Sequence, residues 1–115
     1  MTENVKVGDG DVPITIDGKT YKLVPRFEAC EELCKSGEAL TSLITRCASL
    51  DANAIHRVVA AGLGRDPDDL RRKLFDTGLR HVSGPCVTFL VNLSNGGRPV
   101  PKEETAGPLE SLAES

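Results

Sequence analysis

Apolar and polar residues alternate at Val12, Ile14 and Ile16, and again at Tyr21 and Leu23, which is the two-residue period of a half-buried strand. Between these runs lies Asp17-Gly18, a dipeptide suited to the two positive-φ positions of a type I′ turn. A two-residue loop pairs Ile16 with Lys19, Ile14 with Tyr21 and Val12 with Leu23. The apolar side chains then share one face, and the register predicts a hairpin over 12–24. Pro13 suits an edge position. Two strands are marginal alone in water, so the apolar face is expected to rest on helices.

From Pro25 onward the apolar spacing lengthens to that of helices. Pro25 is expected to open a first helix, with Phe27, Cys30, Leu33 and Cys34 inward, Glu28, Glu31, Glu32 and Lys35 outward, and Gly37 as its stop. A second helix is predicted over 38–48, with Leu40, Leu43, Ile44 and Cys47 inward. Asp51 reads as the N-cap of a third, which carries Ile55, Val58, Val59 and Leu63 and ends at Gly62 and Gly64. Asp66-Pro67 reads as a cap followed by proline, so a fourth helix is predicted over 67–77, burying Leu70 and Leu74, with Phe75 as a further candidate. Asp68 and Asp69 suit its positive end, and Gly78 ends it. Pro85 predicts the start of a last helix, bearing Val87, Leu90, Val91 and Leu93 with Phe89 beside them, and ending near Asn95-Gly96-Gly97. The expected fold class is α+β: an N-terminal β-hairpin packed on about five short helices, as one domain over 12–96. Residues 1–11 are expected to be flexible. Residues 97–115 hold Pro99, Pro101, Pro108, Glu103 and Glu104 without a sustained apolar period, and are expected to be a disordered tail. Within that tail Leu109 and Leu112 fit one helical turn on a partner.

Composition narrows the function classes. The chain has 115 residues, of which 39% are apolar and 27% charged, and this suits one small soluble domain. Aromatics are only 3%, which argues against base stacking on an aromatic platform. A net charge of −3 argues against a nucleic-acid footprint. No apolar run is long enough to span a bilayer and no signal peptide is visible, so no membrane is expected and cytoplasmic residence is expected. Four cysteines there would stay reduced.

Candidate chemistry is sparse. Cys30 and Cys34 lie at i and i+4, but a metal site needs two further ligands from Cys47, Cys86, His56 or His81. Core packing explains all four cysteines more simply. His56 is expected to point outward and His81 to lie in a connection. Gly62-Leu63-Gly64 follows a helix, whereas a phosphate-binding fingerprint opens one. Asp66, Asp68 and Asp69 lack the ligand spacing of a calcium loop. Arg71, Arg72 and Lys73 read as solubilising charge. No catalytic residue, cofactor or metal is expected.

The stretch Ile16 to Ala29, IDGKTYKLVPRFEA, resembles the opening of a small phage-tail family found in gene transfer agents and prophages. The positions that carry the resemblance are Gly18, Tyr21, Leu23, Pro25, Phe27, Glu28, Ala29, Glu32 and Leu33. Ala61, Gly62 and Leu63 continue it, as do Gly78 and Leu79, and then Phe89, Leu90, Gly96 and Gly97. Cys30 and Cys34 depart from the pattern, and the tail is longer than the pattern leads one to expect. In this light Phe27 is expected to staple the first helix to the hairpin and Tyr21 to cover the seam. The resemblance implies a non-catalytic part in building a phage-like tail. Its partners would be the tape-measure or tube protein, and self-association stays open. Members of this family are described either as tail tube components or as tail-assembly chaperones. One short hairpin on a helical body suits the chaperone better than a tube subunit, whose strands pair around a ring. A small cytoplasmic adaptor or regulatory domain is the alternative, and a cysteine-based metal domain a further one.

Overall fold

The computed structural model describes residues 10–99 and has the expected α+β architecture. Strands β1 (Val12–Ile16) and β2 (Lys19–Leu23) form an antiparallel hairpin, followed by helices α1 (Phe27–Cys34), α2 (Leu40–Ala48), α3 (Ala52–Leu63), α4 (Leu70–Thr77) and α5 (Leu79–Ser94). Most of the expected flexible start over 1–11 and of the expected disordered tail over 97–115 lies outside the described residues. The described body extends a little past the expected domain bounds at each end. Gly10 is buried, and its carbonyl accepts from Asn92 Nδ2 at 2.9 Å. Asn95 Nδ2 donates to the carbonyls of Arg98 and Pro99.

The hairpin has the register read from its pattern, with Val12 opposite Leu23, Ile14 opposite Tyr21 and Ile16 opposite Lys19. Asp17 and Gly18 take φ of 53° and 80°, as a type I′ turn requires. In this register Pro13 and Lys22 form a non-hydrogen-bonded pair, so the missing N–H of Pro13 faces outward and costs the ladder nothing. The turn itself is held by α4: the Asp17 N–H donates to Thr77 Oγ1 at 2.7 Å.

The hairpin's apolar face meets α3, α4 and α5. Leu23 is fully buried, and the Val24 N–H donates to the Gly62 carbonyl at 2.9 Å. A methyl group on Gly62 would lie 2.8 Å from Leu23 Cβ and 3.2 Å from its Cα. Gly62 therefore lies inside α3 as the seat of β2, not at the helix end as expected. Gly64 alone ends α3, at φ 80°. Phe89, Leu23, Leu43, Ile55, Leu74 and Leu90 are among the fully buried side chains of the core. Phe89 was expected beside the buried stripe of the last helix and instead lies within it.

Four helix starts differ from those expected. Helix α1 begins at Phe27 rather than Pro25, because Arg26 is still extended and its N–H is taken by the Val24 carbonyl. Helix α2 begins at Leu40 rather than Glu38, whose carboxylate is held by Arg46 and Arg57. Helix α4 begins at Leu70 rather than Pro67, because Asp66 bonds His56 and does not cap. Helix α5 begins at Leu79, so Pro85 lies within it and His81 is in its first turn rather than in a connection. Gly84 makes this possible, because it carries no Cβ to clash with the proline ring.

Phe27 is 70% exposed and so staples nothing. The buried line of α1 runs through Ala29 and Leu33, which leaves Phe27 on the opposite side at about 100° per residue. Cys30 and Cys34 flank that line, half-buried. Phe75 is likewise exposed, one residue off the Leu70–Leu74 line. Tyr21 is half-buried against the core.

Gly62→Ala is expected to destabilise the fold by about 1–3 kcal/mol through overpacking, despite the better helix propensity of alanine. Urea denaturation measures this, and a stabilised variant would show that Leu23 yields. Phe27→Ala is expected to change stability by less than about 0.5 kcal/mol in the same assay.

Candidate functional site

Helices α1 and α3 pack against one another and leave a groove of about 520 Å³ on their outer side. Each helix contributes one stripe with the same spacing: Glu28, Ala29, Glu32 and Leu33 from α1, and His56, Arg57, Ala60 and Ala61 from α3. Offsets of one, four and five residues place these side chains on a single helical face. The other face of α3 bears Ile55, Val58, Val59 and Gly62 and is buried. The floor is therefore small and apolar, and the rims are charged. Arg26, Gly64, Arg65 and Asp66 close one end. There the Arg26 guanidinium lies over Gly64, where an added methyl group would come 2.5 Å from Nη1.

Most rim charges are already engaged. His56 Nε2 bonds Asp66 Oδ1 at 2.9 Å, and the imidazole is mostly buried. This replaces the outward-pointing histidine expected from the sequence. Arg57 donates to Glu38 Oε1 at 3.0 Å and to the Leu33 carbonyl at 2.9 Å, tying α3 to the end of α1. Glu38 also accepts from Arg46 at 2.7 Å and from Ser42 at 2.9 Å. These hydrogen bonds, that from Arg46 foremost, pull the Glu38 carboxyl down to about 2. Arg46 in turn donates to Asp51 Oδ2, and Asp51 Oδ1 caps α3 by accepting from the Ala54 N–H at 3.1 Å. The Arg46 bond, then the backbone bond, holds the Asp51 carboxyl below its usual range. Arg26, Arg65 and Glu28 make no ion pair with a described residue.

The cysteines lie away from the groove lining. Burial, then the neighbouring Cys30, pushes the Cys34 thiol up. Cys47 and Cys86 are fully buried on α2 and α5 and share a hydrogen bond, which together with burial keeps Cys86 a thiol. Among the described residues no group of three or more His, Cys, Asp and Glu could hold a metal ion. No helix among them is long and apolar enough to cross a membrane.

Of the residues marked by the family resemblance, the groove gathers Glu28, Ala29, Glu32, Leu33 and Ala61. Gly18, Tyr21, Leu23 and Pro25 build the hairpin and its exit, Gly62 and Leu63 the seat on α3, and Gly78 and Leu79 the α4–α5 corner. Sequence reasoning did not single out Arg26, Arg57, Ala60 or Arg65 for a site, and it read His56 as outward-pointing and Asp66 as a helix cap. The available signal was the Ala60-Ala61 pair, set four residues after His56-Arg57 on one face of α3. Comparison of the chain with protein-family models, curated proteins and solved structures returns no match.

The lowered pKa of Glu38 carries a pH signature. Its folded value lies below the ordinary 4.5, so the stability it contributes is present above that pH and is lost as pH falls toward 2. Glu38→Gln is expected to flatten the acid limb of the stability profile between pH 4.5 and 2. Thermal melting across that range tests this, and parallel wild-type and variant profiles would rule the network out as its source.

Proposed function

We propose that the chain is a non-catalytic tail-assembly chaperone of a phage-like particle, acting in the bacterial cytoplasm. The groove between α1 and α3 would hold an apolar helical segment of the tape-measure or tube protein. The observation that carries this reading is the groove itself: a small-residue floor between two helices, rimmed by charge, within the ~300–1,000 Å³ range of binding clefts. A floor of Ala29, Ala60 and Ala61 admits larger aliphatic side chains from outside, which is the helix-in-groove mode of recognition.

The family resemblance from Val12 to Gly97 supplies the biological setting. The strands favour a chaperone over a tube subunit. Both are five residues long, and Pro13 withholds a donor from the open edge of β1. Ring-wise pairing through that edge would lack a hydrogen bond where it is most needed.

The test is capture of partners by tagged protein from the native host under inducing conditions, read by mass spectrometry. The tape-measure or tube protein should be recovered. Ala61→Leu fills the groove with a good helix former and should cut recovery at least about tenfold, equivalent to ~1.4 kcal/mol, with unchanged melting. Recovery of unrelated cytoplasmic proteins alone would favour an adaptor instead. Undiminished capture by Ala61→Leu would move the binding surface elsewhere.

A further inference from the structure

Cys30 and Cys34 are the thiols that core packing does not enclose. They flank the buried Ala29–Leu33 line of α1 and both are half-buried, so both reach the surface. Cys47 and Cys86, by contrast, are fully buried. One helical turn separates Cys30 from Cys34, which puts their Cβ atoms about 5–6 Å apart. A disulfide needs only ~3.5–4.5 Å between those atoms, so a regular helix holds the pair too wide for one. The same spacing suits a single bridging ion. Two metal–sulfur bonds of ~2.3 Å set in line span about 4.6 Å between the sulfurs.

The two thiols already sense each other. After burial, the charge and a hydrogen bond of Cys30 push the Cys34 thiol up. Two thiolates here would repel, and a cation held between them removes that repulsion. A compensating charge stands close by. Arg57 Nη2 donates to the Leu33 carbonyl at 2.9 Å, and its guanidinium pulls the Cys34 thiol the other way. Glu38 opposes it, but that carboxylate is taken up by Arg46, Arg57 and Ser42. Among the described residues no third His, Cys, Asp or Glu completes a larger ligand set. Zinc takes four such ligands in a structural site, so the pair does not suit it. Soft thiolates favour Cu(I) instead.

We propose that Cys30 and Cys34 form a two-coordinate site for a soft monovalent cation, Cu(I), at the edge of the buried line of α1. The four ligands sought in the sequence are those of zinc, and this ion needs only two. Two S–Cu bonds form, both thiol protons leave to solvent, and copper stays Cu(I), so nothing is oxidised. The bound unit carries one negative charge, which faces Arg57. Neither sulfur lines the α1–α3 groove, so the site stands apart from the recognition surface proposed above.

The reduced full chain is titrated with Cu(I) under nitrogen against excess glutathione, a monothiol that a paired site outcompetes by holding the ion twice. A single equivalent is expected to bind per monomer, and Cys30→Ser and Cys34→Ser are each expected to lose it. Retention in both variants would overturn the proposal and move the ion to the buried cysteines. Failure of the wild type to compete with glutathione would also overturn it, as would equal uptake of Zn(II) or one ion shared by two chains. In the unaltered protein, Cu(I) is expected to protect Cys30 and Cys34 from iodoacetamide, read by peptide mass spectrometry. This readout does not depend on how the variants fold, and unchanged alkylation of either cysteine would equally overturn the site.

Discussion

The approach of β2 to α3 at Gly62 is the contact on which the other arrangements depend. A strand backbone and a helix backbone come together there closely enough for the Val24 N–H to reach the Gly62 carbonyl. Any side chain on Gly62 would prise them apart. Glycine costs a helix interior about 1 kcal/mol relative to alanine. That cost is offset by burying Leu23 completely and by satisfying a backbone donor where the strand ends. Once β2 is seated, the I′ turn fixes β1, and β1 lays Val12, Ile14 and Ile16 against α5 and α4. The same contact orients α3, so that its Ala60–Ala61 face is left for the groove.

A second layer of order is electrostatic. Glu38 and Asp51 stand at the starts of α2 and α3, and Arg46 spans both. Arg57 joins this cluster to the last turn of α1 through the Leu33 carbonyl. The pairs are only partly shielded from water, so their value lies less in raw stability than in fixing geometry. They set how far apart α1 and α3 stand, and hence the width of the cleft between them.

The contrast between what was legible in the sequence and what was not follows from this. The hairpin's register was legible to the residue, because a two-residue turn and a two-residue period leave one register that buries one face. Asp51 as a cap and the Ile55–Val58–Val59 stripe were legible for the same local reasons. Tertiary competition hid the rest. Asp66 looked like a cap but its carboxylate is drawn to His56, ten residues away. Gly62 looked like a stop because its role depends on a strand some forty positions earlier. Pro85 looked like a start, and only the corner at Gly78 reveals otherwise. Phe27 looked like core because size was weighed above position. The line that packs is the modest Ala29–Leu33 one, since small residues let two helices approach. The groove was invisible for that reason: its floor is alanine, which reads as filler in a linear sequence.

Asn92 is the buried polar residue of the body, and its amide holds the carbonyl of Gly10, which in turn lies against Gly97. The first described residue and Gly97, just past the end of α5, therefore meet at one pole. A body closed in this way acts as a pendant rather than a link. Set within a longer polypeptide, it would hang from the chain by a narrow stem and add little to the distance between its flanking segments. Tension along such a chain would act across the stem, between Gly10 and Gly97, before it reached the hairpin or the helices behind it.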